Sequence, residues 1–228
     1  MGKKTKHSKR NKGKTAAFFD VDGTLVRFTT DLKIMNYLFR IGELPFSKLI
    51  LFYYYVIMHK LDLLTIEQTI KFLGFLKGET KKRIDKITLK MFNERIKQGI
   101  SKEMIAEVNI HNKQDHMTVI LSNSPDIVVD HFRRYMGMNY TISSLLELNN
   151  GIFTGKVKQL CYGKYKLQQL NKFAKDKRID LSKSYFYTDS FSDLPTLLAV
   201  GNRIAVNPDN KLRKYAEKHG WRIIIAKH

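Results

Sequence analysis

Two short clusters of aspartates hold the residue types best suited to chemistry. One is Asp20-Val21-Asp22 and the other is Asp189-Ser190-Phe191-Ser192-Asp193. A third polar pair, Ser122-Asn123, follows an apolar run. If the three segments meet, Asp20, Asp22, Asp189 and Asp193 cannot all ionise without a cation. A site with a few carboxylate oxygens suits Mg2+. Hydroxyls, amides and a lysine beside it suit a phosphoryl group. An aspartate there can act as nucleophile and form an acyl phosphate.

The surrounding pattern has to deliver these residues to one place. Ala16-Ala17-Phe18-Phe19-Asp20-Val21 is a short apolar run ending at the turn signal Asp22-Gly23-Thr24, and it predicts a buried strand. Met117 to Ser122 and Ser184 to Thr188 predict further strands, as do Arg203 to Val206 and Trp221 to Ile225. Residues 101–114 and Gly163 to Lys175 have helical spacing, and Pro125 suits the start of a helix. Asn150-Gly151 marks a hairpin between Glu147 and Gly155. Strands alternating with helices imply an α/β fold, a Rossmann-like and mostly parallel sheet. In such sheets ligands sit beyond the carboxyl ends of the strands, and all three polar clusters fall there.

From Asp31 to Gln98 the apolar spacing is helical instead, broken at Gly42-Glu43-Leu44-Pro45 and Lys77-Gly78-Glu79. The expected organisation is a basic disordered arm at 1–14, an α/β core at 15–30 and 100–228, and an inserted helical cap at 31–99. The run Leu49 to Met58, with Tyr53, Tyr54 and Tyr55, is expected in the core of the cap; a cap that touches a membrane is the alternative.

Lys plus Arg number 41 against 21 Asp plus Glu, a net charge of +20 in 228 residues. Such a balance favours anionic partners: nucleic acid, acidic lipid or a phosphorylated small molecule. Residues 3–14 carry seven of the positive charges and no acid, so weak polyanion contact through the arm is expected. The longest apolar run has ten residues, where a membrane-crossing helix needs about 20. No signal-peptide core follows the basic start, and a cytoplasmic location is expected. The single Cys161 excludes an intrachain disulfide framework and reads as a small buried residue. The seven histidines lack metal-ligand spacing and are expected at the surface. Oligomeric state is not legible.

The clusters also carry a family resemblance. Asp20-Val21-Asp22-Gly23-Thr24-Leu25 resembles the first motif of the haloacid dehalogenase superfamily of phosphohydrolases. Leu121-Ser122-Asn123 resembles the second motif, Cys161 to Lys166 the third, and Thr188 to Pro195 the fourth. The helical insertion after the first strand, and the stretch through Asn207-Pro208-Asp209 and Gly220-Trp221, resemble the phosphoserine-phosphatase-like branch. The resemblance covers residues 16–226.

It implies a Mg2+-dependent phosphomonoester hydrolase working through an aspartyl phosphate on a small phosphorylated substrate. Asp20 would be nucleophile and metal ligand. Asp22 would protonate the leaving oxygen and then activate water, its main-chain carbonyl also reaching the metal. Ser122 and Asn123 would hold the phosphate, Ser122 bonding one of its oxygens. Lys166, with Lys164 as competitor, would neutralise charge on Asp20 and the phosphoryl group. Asp189 would complete the metal shell, and Asp193 would be a ligand or would orient one. Arg27, just past the first motif, either faces the substrate or is solvated. A phosphotransferase on the same core, and a protein that binds or acts on nucleic-acid phosphates, are the alternatives. Singly, Asp22-Gly23 could be no more than a turn and Asp189 no more than a helix cap.

Overall fold

A computed structural model of the chain describes residues 13–60 and 74–227. Its strands are β1 (Ala16–Phe19), β2 (Met117–Pro125), β3 (Tyr140–Asn149), β4 (Ile152–Gln159), β5 (Tyr185–Thr188), β6 (Asn202–Val206) and β7 (Arg222–Ile224). They form one sheet in the order β4-β3-β2-β1-β5-β6-β7. Only β3–β4 is antiparallel, as the hairpin around Asn150-Gly151 requires. The helices among the described residues are α1 (Thr30–Arg40), α2 (Phe46–Lys60), α3 (Lys81–Met91), α4 (Lys102–Lys113), α5 (Asp126–Tyr135), α6 (Lys164–Lys177), α7 (Leu194–Leu198) and α8 (Asn210–Lys218). This is the α/β architecture, with helices inserted after the first strand, that the apolar spacing implies.

β1 is the central strand and all four of its residues are buried. Successive side chains point to opposite faces. Phe18 joins Leu121, Phe186 and Leu170 on one face. Phe19 joins Ile120, Met104 and Val108 on the other and stacks on Tyr187, ring centroids 4.4 Å apart. Two-sided burial of this kind is what a parallel sheet covered on both faces demands. β1 pairs with β2 on one side and β5 on the other. The chain winds outward in opposite directions from it, so a topological switch point opens beyond the ends of β1 and β5.

The helical insertion is closed at its stem. Ser101 donates its backbone N–H to the Leu25 carbonyl at 3.0 Å, and Val26 bridges to Ile100. A wide helical turn, Phe92–Ile96, brings the chain back, with the Phe92 ring edge-on to Phe132 of α5 at 5.2 Å. α1 and α2 share a small core of Met35, Leu38, Leu44, Leu49 and Phe52.

Four expectations are corrected. Of the run Leu49 to Met58, only Leu49 and Phe52 are buried, because α1 covers one side of α2; Ile50, Leu51, Tyr53, Tyr54 and Ile57 are exposed. His111 is buried, not superficial. Lys14 lies outside any disordered arm: its N–H and C=O pair with Arg178 and Asp180, both at 2.9 Å. Residues 1–12 of that arm fall outside the described residues. β2 runs past Ser122 to Pro125, and β3 begins at Tyr140, where the mixed run Tyr-Thr-Ile-Ser-Ser gave no clear alternation. Among the described residues no helix is long and apolar enough to cross a membrane.

Truncating the central strand tests this account. Phe18→Ala removes a fully buried ring and is expected to cost about 3–5 kcal/mol. Denaturant unfolding measures it; a loss under about 1 kcal/mol would be inconsistent with the packing described.

Candidate active site

Asp20 follows the last residue of β1, and its backbone N–H donates to the Tyr187 carbonyl of β5 at 2.9 Å. Asp189 follows β5 directly. The two carboxylates therefore face one another across the switch point. Gly23 closes the turn after Asp20 with a positive φ of 74°. A Cβ there would lie 2.0 Å from Asp189 Oδ2, so only glycine lets that carboxylate settle against the turn. Ser122 and Asn123 enter from β2, Ser122 buried and Asn123 half-buried.

Lys166 stands in the first turn of α6 and is only 4% exposed. Its Nζ donates to Asp193 Oδ2 at 2.6 Å and lies 3.2 Å from Asp20 Oδ1. Burial by itself would lower its pKa, but the carboxylates of Asp193 and Asp20 hold it above the ordinary lysine value. Lys164 is exposed and sits over the Tyr165 ring at 5.5 Å, so Lys166 is the lysine at Asp20. Asp193 also accepts from the Thr188 hydroxyl at 2.7 Å. Its Oδ2 is thereby committed to Lys166 and Thr188.

Asp22 turns its carboxylate toward α1. Oδ1 accepts from the Thr30 N–H at 2.9 Å, and the Ser124 hydroxyl lies 3.4 Å from Oδ2. Thr30 and Ser124 touch one another through their hydroxyls at 3.1 Å. Burial, and next the Asp31 charge, raise the Asp22 pKa well above the usual carboxylate range. Burial pushes Asp20 up to about 6, Lys166 opposing and Asp193 adding to it. Burial and then the Asp20 charge push Asp189 up to about 8. Asp31, on the first turn of α1, is raised to about 6 by burial.

These side chains line a cavity of about 410 Å³. Phe52, Tyr55 and Val56 of α2 form part of its wall. Arg27 is exposed at its rim and also lines the neighbouring surface crevice. Cys161 lies in the wall, with its thiol pKa pushed up to about 12 by burial. Among the described residues no three His, Cys, Asp or Glu side chains converge as a protein metal cage would. The available hard donors are the Asp20 and Asp189 carboxylates and the Asp22 carbonyl.

Asp31, Ser124 and Thr30 belong to this site and are not singled out by the sequence, and Thr188 enters there only as the first residue of the fourth motif. Thr188 was legible as the residue before Asp189. Asp31 and Thr30 lie beyond a turn of irregular backbone, where spacing along the chain does not say which way a side chain points.

The arrangement makes stability pH-dependent in the metal-free protein. Asp189 and Asp22 bind a proton more tightly folded than unfolded, where a carboxyl has a pKa of about 4. The folded state then holds more protons, and stability falls as pH rises. Below about 6.5 the depressed pKa of His111, about 4, acts in the opposite sense. Between pH 6.5 and 8 the carboxylates outweigh His111, His116 and His131, whose lowered pKa values leave them increasingly neutral in both states. Thermal unfolding in chelator is expected to show Tm falling across that window and Asp189→Asn flattening it; a profile flat in the wild type would contradict the burial of these groups.

Comparison with known proteins follows the same lines. The model of the haloacid dehalogenase-like hydrolases matches residues 17–198. A Mycobacterium tuberculosis protein named phosphoserine phosphatase is 26% identical over 216 residues, covering 91% of this chain and 70% of its own. A Neisseria meningitidis protein named histidinol-phosphatase is 27% identical over 224 residues, covering 94% of this chain and 100% of its own. A crystal structure of a Bordetella pertussis protein of unknown function superposes with a TM-score of 0.86 at 24% identity, covering 93% of this chain and 99% of the other.

Proposed function

The chain belongs to the haloacid dehalogenase-like hydrolases and is a phosphatase, and on that premise we propose that it hydrolyses a small phosphomonoester through an aspartyl phosphate on Asp20, with Mg2+ as cofactor. The observation that carries this reading is the buried Asp20 carboxylate with Lys166 Nζ 3.2 Å away and Asp22, with its raised pKa, two residues on.

The donor set fits Mg2+, which is usually held by one or two carboxylates, with the remaining positions left to water and phosphate. Asp20, Asp189 and the Asp22 carbonyl would hold it. Buried carboxylates with raised pKa values, gathered around one lysine, are short of positive charge. When bound there, Mg2+ would supply the positive charge that favours an ionised Asp20 beside a phosphoryl group. Asp193 keeps its bonds to Lys166 and Thr188 and orients the lysine.

The chain's own groups then divide the work. Ser122 and Asn123 present polar atoms to the phosphate oxygens. Asp20 attacks phosphorus as the ester P–O bond breaks, and Asp22 gives its proton to the leaving oxygen. Burial, and next the Asp31 charge, raise the Asp22 pKa well above the usual carboxylate range, the direction that favours a general acid. Water next attacks phosphorus, yields a proton to Asp22 and releases Asp20 and phosphate. Lys166 balances the Asp20 carboxylate before attack and after release. The cavity volume suits a ligand of metabolite size. A lone, buried Cys161 suits a reducing compartment, and we place the enzyme in the cytoplasm.

A panel of phosphomonoesters assayed with Mg2+, with chelator and with Ca2+ tests the reading. Activity is expected only with Mg2+, and Ca2+ is expected to inhibit, because its larger and looser shell can take both Asp20 oxygens. Full activity in excess chelator would overturn the metal assignment.

Substitution separates the two aspartates. Asp20→Asn is expected to abolish turnover and leave no phosphoenzyme. Asp22→Asn is expected to cut turnover by about 10²–10⁴. Asp31→Asn removes a charge that raises the Asp22 pKa and is expected to move the alkaline limb of the kcat/KM profile to lower pH. Wild-type turnover in Asp20→Asn would refute the mechanism. Added alcohols distinguish hydrolysis from phosphotransfer, which would yield a new phosphoester.

A further inference from the structure

α2 has two faces with opposite duties. Leu49 and Phe52 pack inward on α1, and Phe52, Tyr55 and Val56 line the catalytic cavity. The outward face carries Phe46, Ile50, Tyr54 and Ile57, exposed by 63%, 54%, 54% and 56%. At 3.6 residues per turn these positions, with Leu51 and Tyr53, fill an arc of roughly 160°. Ser47 is the polar residue within that arc. Phe39, also exposed, extends the face from α1, its ring 5.9 Å from that of Phe46. A helix apolar on all sides is ordinarily buried on all sides. A contiguous exposed apolar face marks a surface built to be covered.

Charge identifies what covers it. Lys33, Arg40 and Lys48 are exposed on the same two helices. Between residues 30 and 60 the acids are Asp31 and Glu43. Asp31 lines the cavity, and Glu43 is paired with Arg83. The face is thus apolar with a basic margin, on a chain of net charge +20. A second copy would bring two such margins and two such net charges together, which like-charge repulsion opposes. An anionic surface is attracted by the same charges. Tyrosine at the edge of an apolar face suits the boundary between acyl chains and headgroups. α2 has 15 residues, about 22 Å at 1.5 Å per residue, and cannot cross a hydrocarbon layer of about 30 Å. It can lie on one.

We propose that the outward face of α2 docks this phosphatase on the surface of an acidic lipid bilayer, with the apolar arc inserted at the headgroup boundary and Lys33 and Arg40, which flank the Asn36 bonded to Tyr53 at the edge of that arc, against the anionic headgroups. The catalytic cavity then lies immediately behind the docking helix, because Phe52, Tyr55 and Val56 of that helix are its wall. The proposal rests on the outer surface and stands whether or not the mechanism above is right.

Flotation of the full chain with vesicles tests it, at about 0.15 M salt so that weak surface attraction is screened. The protein is expected to float with phosphatidylcholine vesicles containing phosphatidylglycerol at least tenfold more than with phosphatidylcholine alone. Phe46→Ser/Ile50→Ser/Ile57→Ser is expected to lose at least tenfold of that binding. None of the three residues lines the cavity, so turnover of a soluble phosphoester is expected to stay within twofold. An environment-sensitive fluorophore on Ile50→Cys gives a second readout without depending on that triple variant; the native Cys161 is buried. Its emission is expected to shift to the blue on the acidic vesicles alone. Several results would overturn the proposal: no flotation of the wild type, unchanged flotation of the triple variant, or a label already shielded without vesicles. A wild-type oligomer that the triple variant converts to monomer would instead make the face an interface between copies. Deleting residues 1–12 is expected to weaken flotation without abolishing it; complete loss on that deletion would assign the binding to the arm.

Discussion

One buried cation holds this site together. Lys166 lies among carboxylates at the end of the central strand, bonded to Asp193 and close to Asp20. A buried charge survives only when it is paired and hydrogen-bonded. The lysine meets that condition through Asp193, which is in turn bonded by Thr188. Three elements are tied at this point: β1 through Asp20, β5 through Thr188, and α6 through Lys166. Removing Lys166 would leave the buried Asp20 and Asp193 carboxylates uncompensated, which costs far more than the pairing itself contributes. One cation does not balance the carboxylates gathered there. The raised pKa values of Asp20 and Asp189 express that deficit.

The insertion after β1 meets the core at two kinds of contact. Its stem is fixed by backbone pairing, Ser101 to Leu25 and Val26 to Ile100. Its first helix meets the chemistry, because Thr30 supplies the N–H that Asp22 accepts, and Asp31 supplies a charge that adds to burial in raising the Asp22 pKa. A helix inserted beside an active site ordinarily selects what enters. Here it also shifts the pKa of a residue in the loop before it. The next helix, α2, is solvated on its outer side and forms cavity wall on its inner side. Whatever binds its outer face lies one helix diameter from the cavity.

Much of the fold was legible because its signals are local. Ala-Ala-Phe-Phe is buried on both sides as a central parallel strand must be, and Asn150-Gly151 turns the hairpin as its dihedral preferences dictate. The weaker signals failed where solvent and packing, rather than neighbours in sequence, decide. Leu49 to Met58 is apolar throughout, and nothing in its spacing says that α1 would cover one side while Ile50, Leu51, Tyr53, Tyr54 and Ile57 stay exposed. His111 is in the interior because His116, five residues on, and Tyr187 of β5 offer it partners at 2.9 Å, and Tyr187 comes from a distant segment of the chain.

The sequence by itself determined that Asp20 and Asp189 stand at strand ends, since apolar runs stop there and polar residues follow at once; at Ser122 the apolar run stops but the strand continues to Pro125. It also determined the order of the motifs and the helical character of the insertion, both properties of spacing along one chain. Only the tertiary structure decided between Lys164 and Lys166, since two positions on one helix turn differ by where they point. It alone showed Asp193 bound to Lys166, Asp22 turned toward Thr30 and Ser124, and Asp31 beside it. The physical reason is the range of the forces involved. Backbone propensity and hydrophobic periodicity act over a few residues, whereas the pairing of buried charges depends on which distant segments the sheet order brings within about 3 Å.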